Sequence, residues 1–301
     1  MDVSIVIVNY NTKDITKNCI DSIFEKTSGV SFEVILVDNA SKDGSVEQFE
    51  KDSRIRFFES PVNLGFGKAN NLGTQNAEGK YLFLLNSDTI LLNNAIKFFF
   101  DKMESVGQEV GCMGCLLQDT QCQYVHSYAE LPNVENMLGI LVWKQLFSFF
   151  GLKAWRMDAI ENRKENSSFF QVGYVTGADL FIRRRVVESC GLFDPDFFMY
   201  YEDSELQSRY AKQGFFSYIY DAPQIVHLEG HSSKKGSSKR QLLIFDGMLR
   251  YLSKTQDRWK VLLLRLLLLL KVPYTIWSFD FNIRESMDYL QILFRGHLNL
   301  K

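Results

Sequence analysis

The chain has 301 residues, of which 46% are hydrophobic and 23% charged, with a formal net charge of -2. That length holds one large α/β domain with an appendage and a substantial core, and the near-neutral balance gives no electrostatic reason to expect a polyanion, so nucleic acid is not an expected partner. The N-terminus enters an apolar run at once, without the basic stretch, apolar core and small-residue cleavage site of a secretory signal, which predicts a cytoplasmic protein.

Strands are expected at about 3 to 9, 32 to 38, 55 to 59 and 81 to 86, alternating with helical patterns as in a parallel sheet built from βαβ units. Ile15, Cys19, Ile23 and Phe24 recur at helical spacing after Thr12, which reads as the N-cap of the first helix. Val110 to Leu117 reads as a strand followed by a turn and a second strand. Residues 131 to 170 break the rhythm with Pro132, an aromatic run from Trp143 to Phe150 and a polar stretch from Glu161 to Ser168, so they read as an insertion. Val172 to Arg183 resumes a strand, Gly191 to Pro195 turns, and Asp203 to Gln213 reads as a helix stopped by Gly214. Phe216 to Tyr220 and Ile225 to His227 are short final strands, and His231 to Arg240 is a basic Ser/Gly loop. Between Trp259 and Phe281 leucines fall on nearly every face, with Lys260, Arg265 and Lys271 among them. No run approaches the roughly 20 apolar residues of a membrane span, so this helix is expected to lie at a membrane interface, against the catalytic domain or against a second subunit.

The five cysteines are odd in number, which favours reduced thiols over a disulfide framework. Cys112, Cys115, Cys122 and His126 can be read as a zinc site, but the C-x-x-C spacing lacks a second pair.

Three of the predicted strands end abruptly on polar residues. Tyr81 to Leu85 stops on Asn86-Ser87-Asp88, Val3 to Val8 on Asn9-Tyr10-Asn11, and Val34 to Val37 on Asp38-Asn39. The C-terminal edge of an open α/β sheet is where such folds bind ligands, so three polar ends aimed at one crevice predict a nucleotide pocket in which a divalent metal and a diphosphate meet.

Ser4-Ile-Val-Ile-Val-Asn-Tyr-Asn11, Val37-Asp-Asn-Ala-Ser-Lys-Asp-Gly-Ser45, Asn63-Leu-Gly-Phe-Gly-Lys-Ala-Asn-Asn71, Leu85-Asn-Ser-Asp88 and Met199-Tyr-Tyr-Glu-Asp203 resemble, in that order, the inverting family 2 glycosyltransferases of GT-A fold. The likeness is greatest to the rhamnosyltransferase-like branch that builds bacterial surface polysaccharides, and it covers about residues 1 to 230. It implies an α/β fold, a Rossmann-like mixed, mainly parallel sheet flanked by helices. On this reading residues 1–230 form the catalytic domain and 231–301 a basic loop and C-terminal helical appendage.

The resemblance also implies roles. Asp38 would accept a hydrogen bond from the imide of uracil or thymine, Tyr10 would lie against the base, and Asn9, Asn11 and Asn39 would line the donor pocket with it. Lys68 and Asn70 would reach ribose or phosphate near a helix N-terminus. Asp88 would bind Mg2+ or Mn2+, with His227 as a further ligand and Ser87 beside the donor. The family's usual D-x-D is Asn86-Ser-Asp88 here, so an amide replaces the first carboxylate and bonds a ribose hydroxyl or a metal-bound water. Inversion at an anomeric carbon requires a base opposite the leaving diphosphate. Asp203 matches that position, with Glu202 orienting the acceptor and Gly177-Ala178 letting a backbone approach the acceptor sugar. The donor would be a UDP- or dTDP-sugar and the acceptor a glycan or lipid-linked saccharide. A sugar nucleotidyltransferase should carry a glycine-rich loop after the first strand, and Val8 to Thr12 contains no glycine. A catalytically silent sugar-nucleotide-binding or scaffold module is the remaining alternative, motivated by Asn86.

Overall fold

A computed structural model describes residues 1–139, 167–228 and 237–295. An eight-stranded sheet runs in the order β3-β2-β1-β4-β10-β6-β11-β8. The strands are β1 (Val3–Asn9), β2 (Phe32–Asp38), β3 (Arg56–Glu59), β4 (Tyr81–Asn86), β6 (Val110–Gly114), β8 (Phe169–Val172), β10 (Asp179–Arg183) and β11 (Phe216–Tyr220). β3, β2, β1 and β4 are mutually parallel, β10 lies antiparallel between β4 and β6, β11 is parallel to β6, and β8 closes the sheet antiparallel to β11. Two further pairs are antiparallel: β12 (Ile225–His227) with β5 (Thr89–Leu91), and β7 (Tyr128–Ala129) with β9 (Tyr174–Val175).

Successive strand residues point to opposite faces, and the core divides accordingly. Ile5, Ile7, Leu36, Phe83, Leu85 and Phe181 face one side, where Cys19, Ile20 and Ile23 of α1 (Lys13–Lys26) and Ile96, Phe99 and Met103 of α4 (Ala95–Ser105) cover them. Val6, Ile35, Leu84, Leu180 and Ile182 face the other, against Val186, Leu206 and Tyr210. A third core unites the C-terminal helices Ser238–Thr255, Arg258–Leu270 and Ile283–Phe294 with Phe197 and Tyr201 of the sheet domain.

Several expectations need correction. Thr12 occupies the N-cap position without capping: its hydroxyl turns to Asn9, and Asp43 accepts from Lys13 N instead, at 2.9 Å. Val172 to Arg183 is not one strand. Gly173 lies against the Glu130–Leu131 backbone, where a side chain has no room, and the chain re-forms as β9 and β10. The inserted stretch ends earlier than expected, because Phe169 to Val172 pairs with β11; residues 140–166, including the aromatic run, lie outside the described residues. Residues 231–236 of the expected basic loop do too, and its last three residues, Ser238 to Arg240, are not loop but the first turn of the helix Ser238–Thr255, capped by the Ser237 hydroxyl. Cys112 and Cys115 are buried while Cys122 is exposed, and among the described residues no three His, Cys, Asp or Glu groups gather to hold a metal.

Candidate active site

The ends of β1 and β2 form a bonded polar floor. Asn9 is fully buried and uses its whole amide: Nδ2 donates to Asp38 Oδ2 at 2.6 Å and to Ser41 Oγ at 3.0 Å, while Oδ1 accepts from Thr12 and Thr16 at 2.9 and 2.7 Å. Asn9, expected in the donor pocket, is therefore saturated, and its role is to hold Asp38. Asp38 Oδ1 accepts from Ser41 N at 2.8 Å, which leaves one lone pair on each carboxylate oxygen. Ser41 escaped the sequence reading, although Asp-x-x-Ser is a turn signal. Above this floor Tyr10 is 43% exposed and Asn11, at φ 54°, accepts from Lys42 N.

Asn39 does not face outward either. Its Oδ1 accepts from Leu64 N at 2.8 Å and its amide donates to Asn63 Oδ1 at 3.1 Å, which fixes the turn into α3 (Phe66–Gln75). In that turn Gly65, at φ 82°, lies so close to the Phe198 carbonyl that a Cβ would sit 2.3 Å from the oxygen, so only glycine fits. Lys68 is exposed on α3. Asn70 is turned inward instead, with its amide on the Phe66 carbonyl at 3.0 Å, because its place on the helix faces the sheet.

At the end of β4 the β5–β12 pair places His227 opposite Thr89, so that His227 Nε2 lies 3.2 Å from Asp88 Oδ1 and 3.5 Å from Asn86 Nδ2. Adjacent ligands on an octahedral ion with bonds of about 2.1 Å are about 3.0 Å apart, so this oxygen and imidazole fit Mn2+ or Mg2+. No third His, Cys, Asp or Glu joins them among the described residues. Ser87 is buried, its hydroxyl 3.3 Å from that of Thr12.

The segment before β10 ties this strand end to the acceptor side. Ala178 O accepts from Asn86 N at 2.9 Å, and Gly177 N donates to Asp203 Oδ2 at 3.2 Å. Asp203 is the second residue of the helix Glu202–Ala211, and its other oxygen accepts from Ser204 N at 2.7 Å. Burial raises its proton affinity above the ordinary carboxylate range. The preceding turn holds Tyr200 and Tyr201 at φ 72° and 66°, backbone strain in two bulky residues directly ahead of the candidate base.

Glu202 is buried, its Oε2 lacks a hydrogen-bond partner, and burial, together with the Asp203 charge, pushes its carboxyl up to about 8. Asp179 was missed. It is fully buried beside Ala178, with Oδ2 accepting from Cys115 N at 2.6 Å, Oδ1 unpartnered and burial raising it to about 7. Its place at the start of an apolar strand was the available signal, since a carboxylate there is buried by its neighbours.

The glycosyl transferase family 2 profile matches residues 4–189. The chain belongs to that family. It is 26% identical over 212 residues to the N-acetylglucosaminyl-diphospho-decaprenol L-rhamnosyltransferase of Mycobacterium tuberculosis, covering 66% of this chain and 67% of that protein. It is 27% identical over 218 residues to the low-salt glycan biosynthesis hexosyltransferase Agl10 of Haloferax volcanii, covering 70% of this chain and 62% of the relative. Among solved structures, the mannosyltransferase PcManGT of Pyrobaculum calidifontis, in complex with GDP-Man and Mn2+, superposes with a TM-score of 0.57 at 15% identity over 98% of this chain and 87% of its own. GalNAc-T7 with UDP, GalNAc and Mn2+ gives 0.60 at 17% identity over 83% of this chain and 47% of its own. The fold of this family 2 glycosyltransferase is GT-A.

Proposed function

We propose that this glycosyltransferase is metal-dependent and inverting, and that it moves a hexosyl or deoxyhexosyl group from a UDP- or dTDP-sugar to a hydroxyl of a glycan or lipid-linked saccharide in cell-surface polysaccharide synthesis. The observation that carries the reading is the Gly177-Ala178 bridge, which puts the half-buried Asp203 carboxylate beside the strand end bearing Asp88 and, through β12, His227. The relatives support the acceptor class: one is named for an L-rhamnosyl transfer to a diphospho-decaprenol-linked sugar.

Tyr10 offers an exposed ring for the base, Asp38, itself fully buried, is assigned the imide N–H through the lone pair left on each of its oxygens, and Lys68 supplies charge for the phosphates. Asp88 and His227 would hold the metal, and Asn86 beside them would bond a ribose hydroxyl or a metal-bound water. The ion, when bound, supplies Lewis-acid stabilisation of the leaving diphosphate. Asp203 takes the proton from the acceptor hydroxyl as that oxygen forms the new C–O bond and the bond to diphosphate breaks on the opposite face. A proton affinity raised by burial suits a base working near neutral pH. Glu202, protonated over much of that range, stands behind it and orients the acceptor.

Calorimetric titration with UDP-, dTDP- and GDP-sugars, with and without Mn2+, tests the donor side. One uridine or thymidine donor should bind, and Asp88→Ala should abolish the Mn2+-dependent part of its affinity. Equal binding by wild type and variant in both conditions would remove the metal from that strand end.

A further inference from the structure

The C-terminal helices present to solvent what a water-facing helix normally buries. In Arg258–Leu270, Val261, Leu264 and Leu268 pack into the third core. The opposite stripe should then be polar, yet it is Trp259, Leu262, Leu263, Leu266 and Leu270, all exposed, with Leu270 at 80%. At about 100° per residue, Arg258 and Arg265 fall along one seam between the two apolar faces, and Lys260 and Lys271 along the other. Tyr274 and Trp277 of the next helix, Val272–Ser278, are exposed as well, as are Ile283, Met287 and Phe294, which recur on one side of Ile283–Phe294. Together these make up more than half of the exposed large hydrophobic side chains among the described residues.

Charge follows the same division. Residues 231–301 hold 13 Lys/Arg and 5 Asp/Glu, a net of +8, in a chain whose formal charge is -2, which leaves -10 on residues 1–230. An apolar stripe edged by cations, with Trp and Tyr among its exposed residues, is the composition of a helix lying in the plane of a lipid headgroup layer. Cations near such a surface are drawn to anionic lipid. Among the described residues no single helix is long and apolar enough to cross a membrane, and the pair Arg258–Leu270 and Val272–Ser278 is bent by 63°. We infer that this module is a docking surface for the face of an anionic lipid bilayer, on which it lies without spanning.

The placement has a consequence for the site, resting on the lipid-linked acceptor reading above. Gly247 of the first C-terminal helix comes so close to the Tyr200 carbonyl that a Cβ would lie 2.4 Å from its oxygen, Arg240 Nε donates to Tyr200 Oη at 3.0 Å, and the Tyr201 and Tyr251 rings pack at 5.9 Å. The turn that presents Glu202 and Asp203 is therefore packed against the first helix of the C-terminal module, whose later helices carry the exposed stripe. Docking of the module would keep the attached catalytic site at the bilayer, the location of a lipid-linked saccharide.

Flotation of the full chain with vesicles tests the surface without reference to donor or transfer, so its failure and that of the catalytic reading are distinguishable. Wild type should float with phosphatidylcholine vesicles containing phosphatidylglycerol, more weakly with phosphatidylcholine alone, and less as salt rises. Leu262→Glu/Leu266→Glu, both exposed, should keep the melting temperature and lose at least about tenfold in partitioning. Failure of the folded full chain to float with the anionic vesicles would overturn the proposal, as would unchanged flotation of the double variant. Sedimentation showing a dimer that the double variant converts to monomer would assign the face to a second copy of this chain.

Discussion

On the donor side of the crevice the polar groups are bonded to one another before any ligand arrives: Asn9 holds Asp38, Ser41 closes the turn, and Asn39 fixes the entry to α3. On the acceptor side two buried carboxylates are held less completely. Glu202 Oε2 and Asp179 Oδ1 have no hydrogen-bond partner, and burial raises the proton affinity of both, as it does that of Asp203. The difference separates two tasks. A floor that must fix a nucleotide's geometry is stabilised by satisfying every donor, whereas Asp203, held by the Gly177 and Ser204 amides, has its proton affinity raised by loss of solvent, beside two carboxylates that each lack a partner on one oxygen, at a cost to stability.

The acceptor side is most vulnerable behind the turn that carries Asp203. Gly247→Ala places a methyl against the Tyr200 backbone in an already strained turn, and overpacking there should destabilise the protein by about 3 kcal/mol. Denaturant unfolding of the variant measures this; a change below about 0.5 kcal/mol would mean that the turn yields freely.

On the donor side, Asp38→Asn replaces an acceptor of two hydrogen bonds with a group that must turn its NH2 toward one of the two donors. About 2 kcal/mol of stability should be lost, together with donor affinity. Retained stability with weakened nucleotide binding would instead make Asp38 purely a ligand contact.

The buried carboxylate of Glu202 separates the two sides through pH. The Glu202 carboxyl, ordinarily near 4.5, is raised to about 8 in the fold, so the folded state binds the extra proton between those values. Its contribution is fully present below pH 4.5 and is lost as pH rises through about 8. Thermal melts from pH 5 to 8 should therefore show wild type losing stability more steeply than Glu202→Gln. Parallel curves would place Glu202 in contact with water or a cation.

The donor half was the more legible in the sequence because its information is local. Each of β1, β2 and β4 is an apolar run closed by a polar residue, and the observed bounds of all three match the expected ones. What these residues bond to was not local. Asn9 looks like a ligand residue at a strand end until the fold surrounds its amide with Asp38, Ser41, Thr12 and Thr16. The meeting of His227 with Asp88 depends on the β5–β12 pairing, across more than a hundred residues, and no spacing rule reports it. On the acceptor side Phe169 to Arg183 is divided into three short strands whose partners are distant in sequence, so the stretch from Val172 to Arg183 reads as one element. The leucines from Val261 to Leu270 announced an apolar helix, but which of them face the protein is decided by the packing of two other helices.

The claim that donor binding and proton transfer reside on separate sides is tested most directly at Asp203. Asparagine keeps the size of the side chain but cannot take the proton. Transfer to a lipid-linked acceptor, measured alongside donor titration, should fall by about 10²- to 10⁴-fold in Asp203→Asn while donor affinity stays near wild type. Near-normal transfer by the folded variant, or loss of donor binding with the loss of transfer, would contradict the account.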